Sequence, residues 1–285
     1  MGYILLAHYL LGVIYNNFIK VLEMKHFRDT IRTAAVAIII SIAQTAYSTQ
    51  IMDTYEGGSS VKSNGSSYGD VIGSTNDFQI NYMDASLVGN ILHVSIDTTF
   101  GGKGDNGLFS GSTYGGDGIG YGDLFLSSSW TPSGSAPYSL DDNTNGTIWT
   151  YGFSLDNRYA VENIEHDGTL YSLNSGNNNA NALLSDDFLS ANDFYYRNGQ
   201  EVAVDKSSNV TAINRGTWDS TVNKVNFEID LTGTTLLDGN NIALHWGMTC
   251  GNDIIEGQYT VPEPAILGLL ALGLIGIGVS KRKNS

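Results

Sequence analysis

Short segments in which apolar and polar residues alternate run through the middle of the chain, and they restrict its fold most. In residues 91–97, apolar side chains alternate with His93, Ser95 and Asp97, and residues 224–231 alternate just as strictly. A period of two is typical of strands with one buried face. About ten such segments, separated by Gly, Asn and Ser turns, predict an all-β, two-layer antiparallel β-sandwich of the jelly-roll type.

The size and the cysteine usage of the predicted domain fit one self-sufficient core. Residues 49–260 are numerous enough for a single all-β domain with one substantial core. Cys250 is the chain's single cysteine, so no disulfide within the chain is available. We expect a buried thiol at Cys250, and the alternative is a disulfide to a second molecule.

The N-terminal part of the chain has the pattern of a signal peptide. A basic segment starts at Met24, an apolar segment covers residues 34–42, and Ala46 and Ser48 occupy the two small-residue positions that a signal peptidase reads. We therefore predict a signal peptide at residues 24–48. Residues 1–23 are either a genuine N-terminal extension or a start-site artefact.

The C-terminus combines three features in a fixed order. Pro262, Glu263 and Pro264 are followed by the uncharged residues 265–279 and then by the basic residues 281–283. The prolines end the preceding strand, and the apolar run followed by cations predicts a single membrane span. This arrangement resembles the PEP-CTERM sorting signal of Gram-negative bacteria, and an ordinary tail anchor is the alternative.

The resemblance to PEP-CTERM proteins carries expectations about the route of the chain. It implies export, processing by an exosortase after signal peptidase has acted, and membrane attachment through the C-terminal segment before processing. The mature protein would then lie in the envelope, at the cell surface or outside a Gram-negative bacterium. Residues 49–260 would form the ectodomain, and residues 261–285 would form the sorting signal.

The charge of the predicted ectodomain excludes one class of partner. Residues 49–260 contain 26 acidic and seven basic residues, which gives a net charge of −19. Such a surface repels phosphate backbones, so we expect no nucleic-acid partner. It is compatible with an extracellular protein that collects divalent cations.

A glycine-rich loop holds the first candidate calcium ligands. Asp105 and Asp117 lie within it between glycines, and Asp123 follows the loop. Calcium takes six to eight oxygen ligands, and glycines allow the backbone to fold tightly around an ion. These three aspartates are therefore predicted metal ligands.

A second acidic segment adds two more candidates, Asp141 and Asp142, which precede asparagines and a glycine. Neither segment has the spacing of an EF-hand loop. The alternative is that these aspartates form ordinary Asx turns. A third candidate, Asn252 and Asp253 with Glu256, lies beside Cys250 and is interpreted as a turn. Calcium is thus the one cofactor that the sequence suggests.

Aromatic residues beside the acidic loops suggest a sugar site. Tyr114, Tyr121 and Trp130 lie in or next to these loops, where an exposed ring could stack on a sugar beside Asp and Asn side chains. Aromatic residues at strand positions, such as Trp149 and Trp246, are expected in the core instead.

The sequence contains no recognised catalytic signature. His93 and His245 fall on outward positions of predicted strands, where we expect surface or half-buried histidines. Carboxylate pairs such as Glu228 with Asp230 are weak indications of glycoside cleavage in so acidic a chain.

The first hypothesis for the function is a non-enzymatic surface or extracellular-matrix protein associated with exopolysaccharide in a biofilm. The alternatives are a lectin-like carbohydrate-binding module, either with or without a dependence on calcium, and a polysaccharide-cleaving enzyme.

Overall fold

A computed structural model describes six segments of the chain, namely residues 48–58, 69–104, 118–160, 164–174, 179–188 and 197–261. Residues 46–262 form one compact unit, and a second unit comprises residues 1–45 and 263–285. The predicted extension, the signal peptide before Ser48 and the sorting signal after Val261 lie outside the described residues.

The regular secondary structure of the described residues consists mainly of β-strands. In chain order these are β1 Thr49–Met52, β2 Ile80–Val88, β3 Ile91–Thr98, β4 Leu124–Ser127, β5 Tyr151–Leu155, β6 His166–Leu173, β7 Ala182–Leu184, β8 Glu201–Val204, β9 Val210–Thr221, β10 Lys224–Asp230, β11 Asn241–Gly247 and β12 Ile254–Thr260. The short helices are α1 Thr75–Phe78, α2 Ser185–Phe188 and a 3₁₀ turn at Thr235–Asp238. The all-β prediction is confirmed.

Ten of the strands form one antiparallel sheet in the order β1-β2-β3-β10-β9-β6-β5-β4-β11-β12. The sheet curls until its two edges meet. The Tyr259 hydroxyl on β12 accepts a hydrogen bond from the Leu87 amide on β2, at 3.2 Å. At the same seam, Gly257 leaves no room for a side chain beside Ile51 of β1. The strands therefore approach a closed barrel, instead of dividing into the two sheets of the predicted jelly-roll sandwich.

The interior of the curled sheet is filled by side chains. Trp218, Trp246, Phe153 and Phe227 belong to one large buried apolar cluster that draws on almost every strand of the sheet. Cys250 is completely buried in this cluster, as predicted, and burial raises the pKa of its thiol to about 12. At about 25 cal/mol per Å² of buried apolar surface, this interior is the main source of stability.

The outside of the sheet is divided into a covered half and an open half. Every residue of β4 and β5 is buried, and so is every residue of β8, which pairs with β7 in a separate two-stranded sheet. A second apolar cluster of Phe125, Trp149, Leu173, Val204 and Ala243 lies on the outer side of the large sheet, with Val204 contributed by β8. The β7–β8 sheet and its neighbouring loops thus cover the outer face of β4, β5 and β11.

The other half of the sheet has a solvent-facing outer side. On β3 the burial alternates strictly, and on β10 the buried residues Val225, Phe227 and Ile229 alternate with half-buried or exposed ones. Strands β2, β3, β10 and β9 are neighbours in the sheet. Their outward side chains therefore form a continuous polar surface.

Candidate functional site

The open half of the sheet carries a polar groove built from cross-strand rows. One row runs through Gln50, Asp84, Ser95, Asn226 and Asp219, which are successive register partners on β1, β2, β3, β10 and β9. Side-chain hydrogen bonds join Gln50 to Asp84 at 3.2 Å, Ser95 to Asn226 at 2.8 Å and Asn226 to Asp219 at 2.8 Å. These bonds hold the side chains in fixed positions across five strands.

A second row lies beside the first. Ser86, His93, Glu228 and Thr217 are register partners on β2, β3, β10 and β9. His93 Nδ1 lies 3.7 Å from Glu228 Oε2, and the two side chains are 42% and 60% exposed. The half-exposed position predicted for His93 is therefore confirmed, and the two rows together form the floor of the groove.

The groove has a volume of about 270 Å³ and is open to solvent along one side. Its lining includes four carboxylates, from Asp84, Glu165, Asp219 and Glu228, and none of the described lining residues is Lys or Arg. Hydroxyl, amide, imidazole and carboxylate groups converge there. Such a set can hydrogen-bond a polyhydroxylated ligand from several sides.

The predicted metal ligands of the glycine-rich loop are only partly described. Asp105 and Asp117 lie outside the described residues. Asp123 is completely buried and forms an ion pair with Arg158 at 3.0 Å. Its oxygens also accept hydrogen bonds from the amides of Leu155 at 2.9 Å and Val204 at 2.7 Å. Asp123 thus links β5, β8 and the chain before β4.

The two aspartates of the second segment have different environments. Asp142 Oδ1 accepts hydrogen bonds from the amide and the hydroxyl of Thr144, which is the Asx turn given as the alternative. Asp141 is only 2% exposed, and its Oδ2 has no hydrogen-bond partner among the described residues. Burial and the charge of Glu256 raise the pKa of Asp141 to about 7.

Of the three predicted sugar-stacking aromatics, two are described, and one of these lies in the core. Tyr114 lies outside the described residues. Tyr121 is completely buried, packs against Phe100 and Trp218, and is a core residue instead of the exposed loop aromatic that was expected. Trp130 is partly buried and donates its indole N–H to Glu256 Oε2 at 2.9 Å.

A buried polar cluster lies under the covered half of the sheet. His245 Nδ1 is 2.8 Å from Glu256 Oε1, and its Nε2 donates to the Glu201 carbonyl oxygen at 2.7 Å. His245 does lie on the outer side of its strand, but the prediction of a surface or half-buried histidine is wrong because β8 covers it. Asn179 donates a hydrogen bond to the Glu201 carboxylate.

Two groups of this cluster, Glu201 and His245, have shifted pKa values. Burial raises the pKa of Glu201 to about 7, although the nearby His245 opposes the shift. For His245, burial lowers the pKa, but the hydrogen bond and charge of Glu256 outweigh burial and raise it. Because the side chains are at most 4% exposed, the cluster has no open access for a ligand.

The structure brings together a different acidic group from those predicted. Asp53, Asp70 and Asp253 each offer a carboxylate oxygen within 4.8 Å of the others. Burial and the charge of Asp70 raise the pKa of Asp53 to about 8, and burial and Asp53 raise that of Asp253 well above its usual range. This acidic triad could hold a metal ion. Sequence spacing did not connect the three residues, because they lie far apart along the chain.

The C-terminal residues are the part of the chain that matches a known family model. The sequence matches the PEP-CTERM protein-sorting motif over residues 260–283. The chain carries a PEP-CTERM sorting signal. Pro262, Glu263 and Pro264 fall inside this match and lie outside the described residues. A PEP-CTERM signal marks a protein for processing by an exosortase, so the chain is an exported protein of the cell envelope or surface.

The other two comparisons found no relative of the chain. No curated protein and no solved structure matches the chain. Within the described segments, no helix is long and apolar enough to cross a membrane. The predicted span at residues 265–279 lies outside those segments.

Proposed function

We propose that this PEP-CTERM protein is a non-catalytic surface protein whose ectodomain binds extracellular polysaccharide in the groove formed by β2, β3, β10 and β9. The observation that carries the proposal is the pair of hydrogen-bonded polar rows across an uncovered sheet face. A polysaccharide presents many hydroxyl groups along its length, and rows of fixed donors and acceptors match such a ligand.

The contrast between the two halves of the sheet supports this choice of site. The outer face of β4, β5 and β11 has apolar residues such as Phe125 and Ala243 and is covered by β8. The outer face of β3 and β10 has Ser95, Asn226 and Glu228 in the equivalent outward positions. Polar side chains facing solvent need no cover, and they leave the groove available to a long ligand.

The sorting signal supports a role outside the cell. An exosortase-processed protein is delivered to the envelope or surface, where extracellular polysaccharide would be accessible to it. The first strand begins at Thr49, directly after the predicted end of the signal peptide. A processed chain would therefore keep every strand of the sheet. We propose that the mature protein acts in the exopolysaccharide matrix of a Gram-negative bacterium.

The positions of the proton-donating carboxyl groups favour binding over cleavage. A glycosidase needs a general acid with a pKa near neutrality at an accessible position. Among the described residues, Asp141 and Glu201 have a pKa of about 7 and are buried, and Asp53 has a pKa of about 8; all three lie outside the groove lining. The pair Glu228 and Asp230 lies on one strand, and Asp230 accepts a hydrogen bond from the Thr232 amide at 2.8 Å.

The proposed calcium site is the acidic triad of Asp53, Asp70 and Asp253, and not the loops that the sequence suggested. Carboxylate oxygens are the ligands that calcium prefers. Asp53 Oδ2 and Asn252 Oδ1 are buried and have no hydrogen-bond partner among the described residues. An ion at the triad would join β1 to the start of β12. It would support the lectin-like alternative, in which calcium stabilises the sugar-binding domain.

Binding of a glycan panel to residues 46–262 tests the proposal, since this unit contains every described strand. We expect at least one extracellular polysaccharide to bind, and Ser86→Trp, which fills the groove, to abolish binding. The control is Thr211→Trp at an exposed position of β9 outside the groove lining. Equal binding by both variants, or release of reducing ends from any bound polysaccharide, would contradict it.

A further inference from the structure

We infer that the groove selects polysaccharides that carry free amino groups, such as deacetylated amino-sugar polymers, over neutral or uronic-acid polymers. This inference rests on the proposed function and names the class of its ligand. Its basis is the charge of the groove lining. Four of the thirteen described lining residues are carboxylates, and His93 is the one among them that can carry a positive charge.

The hydrogen bonds within the groove leave acceptors for a cationic ligand. Asp84 and Asp219 each use one oxygen, Oδ1, to accept a bond from Gln50 and Asn226 respectively. Within the described chain, the second oxygen of each has no hydrogen-bond donor. An ammonium group has three donors and no acceptor, so it is the sugar substituent that such carboxylates bind best.

The spacing of the carboxylates suits a repeating ligand. Asp84 on β2 and Asp219 on β9 belong to the same row, with β3 and β10 between them. Neighbouring strands are about 4.8 Å apart, so these two carboxylates lie about 14 Å apart along the row. Glu228 belongs to the adjacent row. A polymer lying across the strands would therefore meet several carboxylates in succession.

Two described cations on the outer face of β10 and β9, Lys224 and Arg215, do not neutralise the groove. Lys224 faces the same side of β10 as Glu228, but it is outside the lining and lies opposite Asp97 in register. Arg215 of β9 forms ion pairs with Asp167 at 3.3 Å and Asp156 at 3.7 Å. A uronic-acid polymer would thus meet like charge throughout the groove, and its binding would be opposed.

The test compares hexamers of glucosamine and of N-acetylglucosamine, which differ in whether the nitrogen is charged. Calorimetric titration into residues 46–262 should show the glucosamine hexamer binding about tenfold more tightly, since several exposed charge pairs add. Raising the salt from about 0.05 M to about 0.5 M should remove most of this preference. Glu228→Gln should weaken glucosamine binding about two- to fivefold, whereas Asp238→Asn, at an exposed acid outside the groove, should not.

Each result separates the two proposals. Equal binding of the two hexamers, or tighter binding of the acetylated one, would overturn the selection for amines and leave polysaccharide binding intact. Equal binding of hexalysine and the glucosamine hexamer would also overturn it, because the groove would then recognise charge without sugar. Failure of every glycan in the panel would overturn the proposed function itself.

Discussion

His245 and Glu256 face each other directly across β11 and β12, and their side chains meet at 2.8 Å while both are buried. The imidazole Nε2 faces the Glu201 carbonyl oxygen and therefore carries a proton. The second oxygen of Glu256 accepts the indole N–H of Trp130. One buried carboxylate thus connects β11, β12 and the loop after β4.

Removing this carboxylate should strongly destabilise the domain. We expect Glu256→Ala to lower the free energy of unfolding by about 3–5 kcal/mol, because it leaves His245 and Trp130 without their buried partner. Urea denaturation measures this change. The control Glu228→Ala alters a 60% exposed side chain and should change stability by about 0.5 kcal/mol or less. Similar losses in the two variants would mean that the pair does not stabilise the fold.

Stability should fall as the pH rises. The pKa values of Asp141 and Glu201 in the folded protein are about 7, and that of Asp53 is about 8, against 3.8 to 4.5 for ordinary carboxyl groups. At pH values between the ordinary and the raised pKa values, the folded state therefore binds more protons than the unfolded state. The raised pKa of His245 acts in the same direction, since its contribution is also lost as the pH rises. Thermal melts should show a melting temperature several degrees lower at about pH 8 than at about pH 5, and a higher value at about pH 8 would contradict this.

The variant Asp141→Asn tests the contribution of one of these carboxyl groups to the pH dependence of stability. Asparagine resembles the protonated form of Asp141, so the variant should melt at a higher temperature than the parent at about pH 8 and at nearly the same temperature at about pH 5. Asp238→Asn removes an exposed carboxyl group and should have no such pH-dependent effect. An identical shift of Asp141→Asn at both pH values would show that Asp141 does not titrate in this range.

Gly146 should tolerate no side chain. Its φ is +85°, and a Cβ atom there would overlap with Oδ1 of Asp141. Gly146→Ala should therefore cost about 3 kcal/mol or more in urea denaturation, from the left-handed backbone and from displacement of Asp141. Gly89 has a similar φ of +61° but open space around it, so Gly89→Ala should cost only about 1–2 kcal/mol. Equal costs would mean that Asp141 moves aside freely.

Calcium should stabilise the domain through the acidic triad. Adding calcium chloride at about pH 8 should raise the melting temperature, because the ion offsets repulsion among Asp53, Asp70 and Asp253, and a chelator should reverse the rise. Asp53→Asn should remove the calcium effect, and Asp142→Asn should keep it. The opposite pattern would assign the ion to the loop that contains Asp142.

The strands with one solvent-facing side could be predicted from the sequence. The alternation in β3 and β10 gave their position, their buried faces and the outward direction of His93 and Ser95. Strand β9 could not be found this way, although it is the longest of the described strands. Its residues are mostly half-buried or exposed, and pairing with β6 and β10 on its two sides holds it in the sheet.

The covered cluster and the acidic triad could not be predicted, because both depend on distant segments. Strand alternation correctly placed His245 on the outer side of β11, but nothing local indicates that β8 lies above it. Asp53 and Asp253 meet because β1 and β12 are the two edges of a sheet that curls on itself. The groove was easier to anticipate, since Asp, Ser, Asn and His residues at outward positions of alternating segments are visible in the sequence, whereas the pairing of β3 with β10 is not.

Binding in the groove is tested most directly by nuclear magnetic resonance with residues 46–262 labelled with ¹⁵N. Titration with the glucosamine hexamer should shift amide signals on the outer sides of β2, β3, β10 and β9, with the largest changes near Asp84, Ser95 and Asn226. Signals of β4, β5 and β11, under the covered half, should stay in place. Shifts concentrated in the loop around Trp130, or no shifts with any polysaccharide, would contradict the assignment of the groove as the binding site.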